Sequence, residues 1–244
     1  MKNLTPSLAA ILAVAAVAFL TPTPASASSV YLSCTAASLS TYLAAGFGCT
    51  EGDLLYTNFT DTNTANPAGY ALTSSSIAVV PDFTSLDGGF EFNMGSSVVT
   101  QAGATSAFQD EKIGYQISTL SGLATIYAIQ VNFNGSFTGT GSTNMTENYC
   151  ESGPVATCTA GMGGSVSVTN PPPVFNSVVA ITPTSTLWVI KDANATSGVN
   201  GTAYMSGFGN NYAQTPEPAT FGMIGLSLVG LAFVRRRHLQ RKEQ

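Results

Sequence analysis

Histidine is nearly missing from this chain: its 244 residues contain one, His238, close to the C-terminus. Upstream of that point a Ser-His-Asp or Cys-His triad is therefore excluded, and so is a histidine metal site. Charge is scarce as well, with Asp, Glu, Lys and Arg together at 9%. No glycine-rich phosphate loop follows a strand pattern, no dinucleotide fingerprint is present, and no Cys-x-x-Cys pair suggests a metal. No repeat of fixed period occurs, which argues against a propeller or solenoid. These absences imply no cofactor and no metal.

Positive charge is scarcest in the middle. Of eight Lys and Arg, six (Lys2, Arg235, Arg236, Arg237, Arg241 and Lys242) lie in the end segments, which leaves Lys112 and Lys191. Of thirteen Asp and Glu, Glu217 and Glu243 lie there too, so residues 28–214 keep eleven acids against two bases, a net charge of −9. Such a body lacks the cations that neutralise phosphates, and nucleic acid is not expected as a partner.

The two ends read as address labels. Lys2, the apolar run Leu8 to Leu20, the break Thr21-Pro22-Thr23-Pro24 and the small residues Ala25-Ser26-Ala27 make up the parts of a secretory signal peptide. Cleavage is expected between Ala27 and Ser28, with the Sec translocon and signal peptidase as partners. At the other end, Pro216-Glu217-Pro218 precedes an uncharged run from Ala219 to Val234, the block Arg235-Arg236-Arg237 and a polar end to Gln244. As a helix the run would cover roughly 24 Å of a hydrocarbon core of about 30 Å, a short span that bilayer thinning and snorkelling arginines can accommodate. The arginines would hold that end on the cytoplasmic side.

In order, spacing and position, Pro216-Glu217-Pro218, the apolar run and the arginine cluster resemble the PEP-CTERM sorting signal of Gram-negative bacteria. The resemblance implies an exosortase-like membrane protease as processing partner, transient anchoring by the C-terminal helix, then a cell-surface or extracellular location linked to exopolysaccharide and biofilm. Asp53 to Phe59, Phe108 to Tyr115 and Lys191-Asp192 are similar to a set of exported proteins with that signal, and supply no catalytic residue.

The body is expected to be all-β, a single antiparallel sandwich of jelly-roll or Ig-like type. Strands are expected at 54–60, 77–80, 90–94, 113–117, 125–138, around Val166 and Val168, at 187–190 and at 202–206, with an irregular stretch at 138–164. Ala36 to Ala45 is the helical candidate. The expected division is signal peptide 1–27, ectodomain 28–209, linker 210–215 and sorting signal 216–244, the last made of motif 216–218, transmembrane helix 219–234 and basic tail 235–244. In an oxidising compartment the four cysteines should form disulfides. Three connectivities are open, and the local pairs Cys34–Cys49 and Cys150–Cys158 are expected because neither needs a distant partner.

Several side chains invite chemistry. Asp82, Asp87, Glu91, Asp110 and Glu111 are candidates for a two-carboxylate glycosidase. Asp61-Thr62-Asn63-Thr64 resembles the opening of a calcium loop but lacks its later ligands. Trp188 is either a sugar-stacking platform or core, and its apolar neighbours on both sides favour core. Tyr204, Phe208 and Tyr212 form either a ligand face or strand ends. Asn58, Asn134, Asn144, Asn194 and Asn200 begin Asn-x-Ser/Thr triplets, which composition alone explains. The leading expectation is a non-enzymatic surface or matrix protein of structural or adhesive role. The alternatives are a carbohydrate-binding module on exposed aromatics, or a glycoside hydrolase using two acids.

Overall fold

Alternation with period two runs through most of the body, and the chain answers it with strands that each turn one face inward. The computed structural model describes residues 31–82, 88–100, 106–120 and 124–215, together with Gly225, Ser227 and Val229. Thirteen strands occur there: β1 (Leu32–Ser33), β2 (Ala37–Ser38), β3 (Gly48–Glu51), β4 (Leu54–Asn66), β5 (Ala78–Asp82), β6 (Gly88–Thr100), β7 (Phe108–Thr119), β8 (Ile126–Thr138), β9 (Ser142–Cys150), β10 (Gly163–Asn170), β11 (Asn176–Thr184), β12 (Thr186–Thr196) and β13 (Thr202–Gln214). They form a seven-stranded sheet in the order β1-β3-β4-β7-β12-β9-β10 and a six-stranded sheet in the order β11-β8-β13-β6-β5-β2. The β1–β3 pair is parallel, and the main ladders are antiparallel. The body is all-β and sandwich-like, with the core between the two sheets.

Aromatic rings fill that core. Phe90 of β6 is fully buried and lies with its ring centroid 4.5 Å from Tyr56, 5.6 Å from Tyr42 and 5.9 Å from both Phe59 and Tyr115. Phe92 stacks on Phe208 at 5.4 Å and carries the cluster along the six-stranded sheet. Most of these contacts are edge-on or tilted, the arrangement that ring quadrupoles favour. Gly89 sits where β6 meets β13 so closely that a Cβ would fall 1.8 Å from the Asn210 carbonyl oxygen, which makes any larger residue incompatible with this pairing.

Disulfides join Cys34 to Cys49 and Cys150 to Cys158, the two local pairs. The first ties the segment after β1 to β3, and the second pins the connection between β9 and β10.

The structure departs from the sequence-based expectation in several elements. The helix is a single turn, α1 (Leu39–Tyr42), and Ala37 and Ser38 of the expected helix belong to β2. The polar stretch after Thr60 is strand, because a bulge between Thr57 and Thr60, with Asn58 at φ 57°, changes which residues of β4 face inward. Pro81 lies within β5, where β2 reaches only to Val79 and leaves an edge that tolerates proline. Residues 142–150, expected to be irregular, form β9 between β12 and β10. Residues 210–214, expected to be linker, are the second half of β13, with Asn210 and Tyr212 in the core. Among the described residues no helix is long and apolar enough to cross a membrane, and the expected span 219–234 lies largely outside them.

Candidate functional site

Side chains that could bind or react gather in three places, and the best organised, a cluster of titratable groups, is inside the sandwich. Along β12, Leu187, Val189, Lys191, Ala193 and Ala195 share the inward face, so alternation carries a lysine into the core. Its neighbour in register on β9 is Glu147. Both are fully buried, and Lys191 Nζ contacts Glu147 Oε2 directly. The Tyr212 hydroxyl donates to Glu147 Oε1 at 3.1 Å. Tyr115 Oη lies 2.9 Å from Tyr212 Oη and donates to Asn210 Oδ1 at 2.9 Å. The network thus bridges the two sheets, from β9 and β12 through β7 to β13. Burial pushes Lys191 below the usual lysine range against the pull of Glu147. Burial, and then Glu147, push the Tyr212 and Tyr115 hydroxyls well above theirs.

Two further acids share this interior. Glu111 of β7 is pushed up to about 9, first by burial and then by the Asp61 carboxyl beside it. Glu51 of β3 is pushed up to about 7, mainly by burial and further by Asp82, against the Gly89 N–H that donates to its Oε2 at 3.0 Å.

The second place is the outer face of the seven-stranded sheet. Thr64, Asp110, Asn194 and Asn144 stand in one row across four strands, and Thr62, Lys112, Asp192, Thr146 and Ser167 in the next. Lys112 Nζ lies 3.0 Å from Asp192 Oδ2 and 3.5 Å from Asp110 Oδ2. Burial and then Asp192 push Asp110 up to about 6. The third place is a depression of about 230 Å³ on the outer face of the six-stranded sheet, lined by Tyr127, Ala128, Gln130, Val178, Asn211 and Ala213.

The residues singled out from the sequence disperse over this framework. Asp110 and Glu111 are consecutive strand residues and point to opposite faces. Glu91 is exposed on the outer face of the six-stranded sheet, Asp82 ends β5, and Asp87 lies outside the described residues. Asp61 to Thr64 are strand rather than loop, and among the described residues no three His, Cys, Asp or Glu side chains gather for a metal. Trp188, expected in the core, is half-buried on the outer face, because Leu187 and Val189 take the inner one. Phe208 and Tyr212 are core, and Tyr204 is half-buried. Asn58, Asn134 and Asn200 are exposed, and Asn144 and Asn194 half-buried. The Lys191–Glu147 pair was not singled out from the sequence, although a lysine at the parity of Leu187, Val189, Ala193 and Ala195 is a visible signal.

The last strand ends where the tail begins. β13, between β8 and β6, runs to Gln214. Thr215 then donates its N–H to the Thr125 carbonyl at 2.9 Å, and its Oγ1 accepts the Thr125 N–H at 3.0 Å. Residues 214–237 match the PEP-CTERM protein-sorting motif. The PEP-CTERM motif implies export, an exosortase as processing partner, and a cell-surface or extracellular fate. Of the expected sites, Pro216, Glu217 and Pro218, Arg235, Arg236 and Arg237, and the cleavage pair Ala27 and Ser28 lie outside the described residues.

No curated protein matches this chain. Solved structures that align with it include the Glycosylation Associate Protein (Gap123) complex from Streptococcus agalactiae, at 10% identity and TM-score 0.29 over 63% of this chain and 26% of that one. TmCBM61 in complex with beta-1,4-galactotriose aligns at 8% identity and TM-score 0.28, over 63% of this chain and 88% of that one. The enzymatically active domain of Bacteriophage CBA120 tailspike protein 4 aligns at 15% identity and TM-score 0.28, over 64% of this chain and 20% of that one. Likenesses of this size carry no argument about role.

Proposed function

We propose that the mature chain is a non-enzymatic protein of the cell surface or extracellular matrix, with a structural or adhesive role linked to exopolysaccharide. The observation that carries this reading is the junction at Gln214 and Thr215. The sandwich is complete at the residue where the PEP-CTERM motif starts, so a protease can remove the tail without taking anything from the core. In this reading the apolar run 219–234 anchors the chain as a short transmembrane helix until the cut is made. Pro216 and Pro218 hold Glu217 extended for the protease, since each lacks an N–H and disfavours helix at the residue before it. Arg235, Arg236 and Arg237 stop the chain from slipping through, because each charge drawn into lipid costs several kcal/mol. Replacing Pro216-Glu217-Pro218 with alanines is expected to leave an uncut, membrane-bound precursor. A variant that matures and reaches the surface at the wild-type level contradicts the proposal.

A carbohydrate-binding role is the second reading, favoured by the depression on the six-stranded sheet. There the exposed Tyr127 ring stands with the Gln130 and Asn211 amides, an apolar surface beside polar groups of the kind that bind sugars. Retention of the mature protein on the producer's exopolysaccharide should then fall in Tyr127→Ala, and equal retention would dismiss this site.

A further inference from the structure

Lys191 and Glu147 are poorly provided for as ions. An ammonium has three N–H donors and a carboxylate about four acceptor positions. Among the described residues the Lys191 amine has one hydrogen-bond partner, Glu147, and the Glu147 carboxylate gains only the Tyr212 hydroxyl besides. Ile113 is the register neighbour of Lys191 on its other side, and the Tyr115 ring centroid is 5.6 Å from Nζ. A buried ion pair with so few hydrogen bonds recovers little of its desolvation cost. An amide in the same place would be satisfied. Its carbonyl oxygen would accept the Tyr212 O–H, and its single N–H would lie near the face of Tyr115, a weak but favourable contact.

We infer that Lys191 and Glu147 are joined by an intramolecular amide bond, a covalent tie between β9 and β12 beside the two disulfides. The strands hold the reacting groups in register and in contact, and the interior excludes bulk water. Well-oriented groups of this kind reach effective molarities of about 10⁵–10⁸ M, enough to drive a condensation that fails between free partners. Starting from ammonium and carboxylate, Nζ passes one proton to a carboxyl oxygen and, as the free base, adds to the Glu147 Cδ. The Tyr212 hydroxyl donates to the oxygen that takes up negative charge. A second Nζ proton moves to the departing oxygen, the C–O bond breaks, and one water leaves. No oxidant or external co-reactant is consumed. Burial favours the free-base amine that this addition needs.

Peptide mapping of the exported wild-type protein, denatured and reduced, tests the bond. The expected result is no tryptic cleavage after Lys191, and a chymotryptic pair containing Glu147 and Lys191 that stays joined and is lighter by one water. Lys191→Arg should restore cleavage and the full mass, and Tyr212→Phe should leave a mixture of joined and open chains. The wild-type map needs no variant to fold. Complete cleavage after Lys191 in wild-type protein would overturn the inference. A fragment lighter by ammonia and joined through Asn210 would overturn the choice of acceptor.

Discussion

Replacing Glu51 with glutamine should change how stability depends on pH. Glu51 is 4% exposed, its Oε2 accepts the Gly89 N–H, and its Oε1 has no hydrogen-bond partner among the described residues. Burial and Asp82 raise it from 4.5 to about 7. A raised carboxyl favours the fold while it holds its proton. Its contribution is fully present below pH 4.5, falls as pH rises because the unfolded chain ionises first, and is lost above about 7. At about 1.4 kcal/mol per pH unit, a shift of that size corresponds to about 3 kcal/mol. The glutamine amide of Glu51→Gln would keep an oxygen for the Gly89 N–H and carry no charge. Glu111, raised in the same direction, titrates in both proteins, so the difference between their curves isolates Glu51. Urea midpoints across that range should show wild type losing about 3 kcal/mol relative to the variant as pH rises, spread over the interval between the two values at close to about 1.4 kcal/mol per pH unit. Two parallel curves, agreeing within about 0.5 kcal/mol, would show that burial does not raise the Glu51 carboxyl.

Two further outcomes follow from the core and its staples. Phe90→Ala removes the ring that Tyr42, Tyr56, Phe59 and Tyr115 surround, and should cost about 3–5 kcal/mol, seen as a melting temperature lower by roughly 10 °C. The four cysteines of exported protein should resist alkylation until reduced, and reduction should destabilise the fold by about 2–4 kcal/mol per bond, read from thermal melts.

The all-β class was legible because β7, β8 and β12 alternate openly: Ile113, Tyr115 and Ile117 face in, as do Ile129, Val131 and Phe133. Where alternation was hidden, the cause lies in particular side chains. The inward face of β9 includes Thr143, Met145 and Glu147, so no apolar period shows, and its polarity makes sense only beside Lys191 of another strand. β11 is an edge strand with no fully buried residue, which blurs its two faces. The second half of β13 looked like linker because Asn210 and Asn211 are polar, yet Asn210 is held in the core by Tyr115 from the opposite sheet. The sorting tail was legible because it acts as a linear motif, whose meaning lies in order and spacing. The interior network was not, because contacts between distant strands leave no local pattern.

In the proposed reading this sandwich is delivered outside the cell by way of its C-terminal sorting motif, which is cut off in the process. The C-terminal residue of the protein recovered from the cell surface and medium, read by mass spectrometry, tests it most directly. The expected chain keeps β13 through Gln214 and lacks the apolar run and Arg235-Arg236-Arg237. Surface protein that still ends at Gln244 would contradict it.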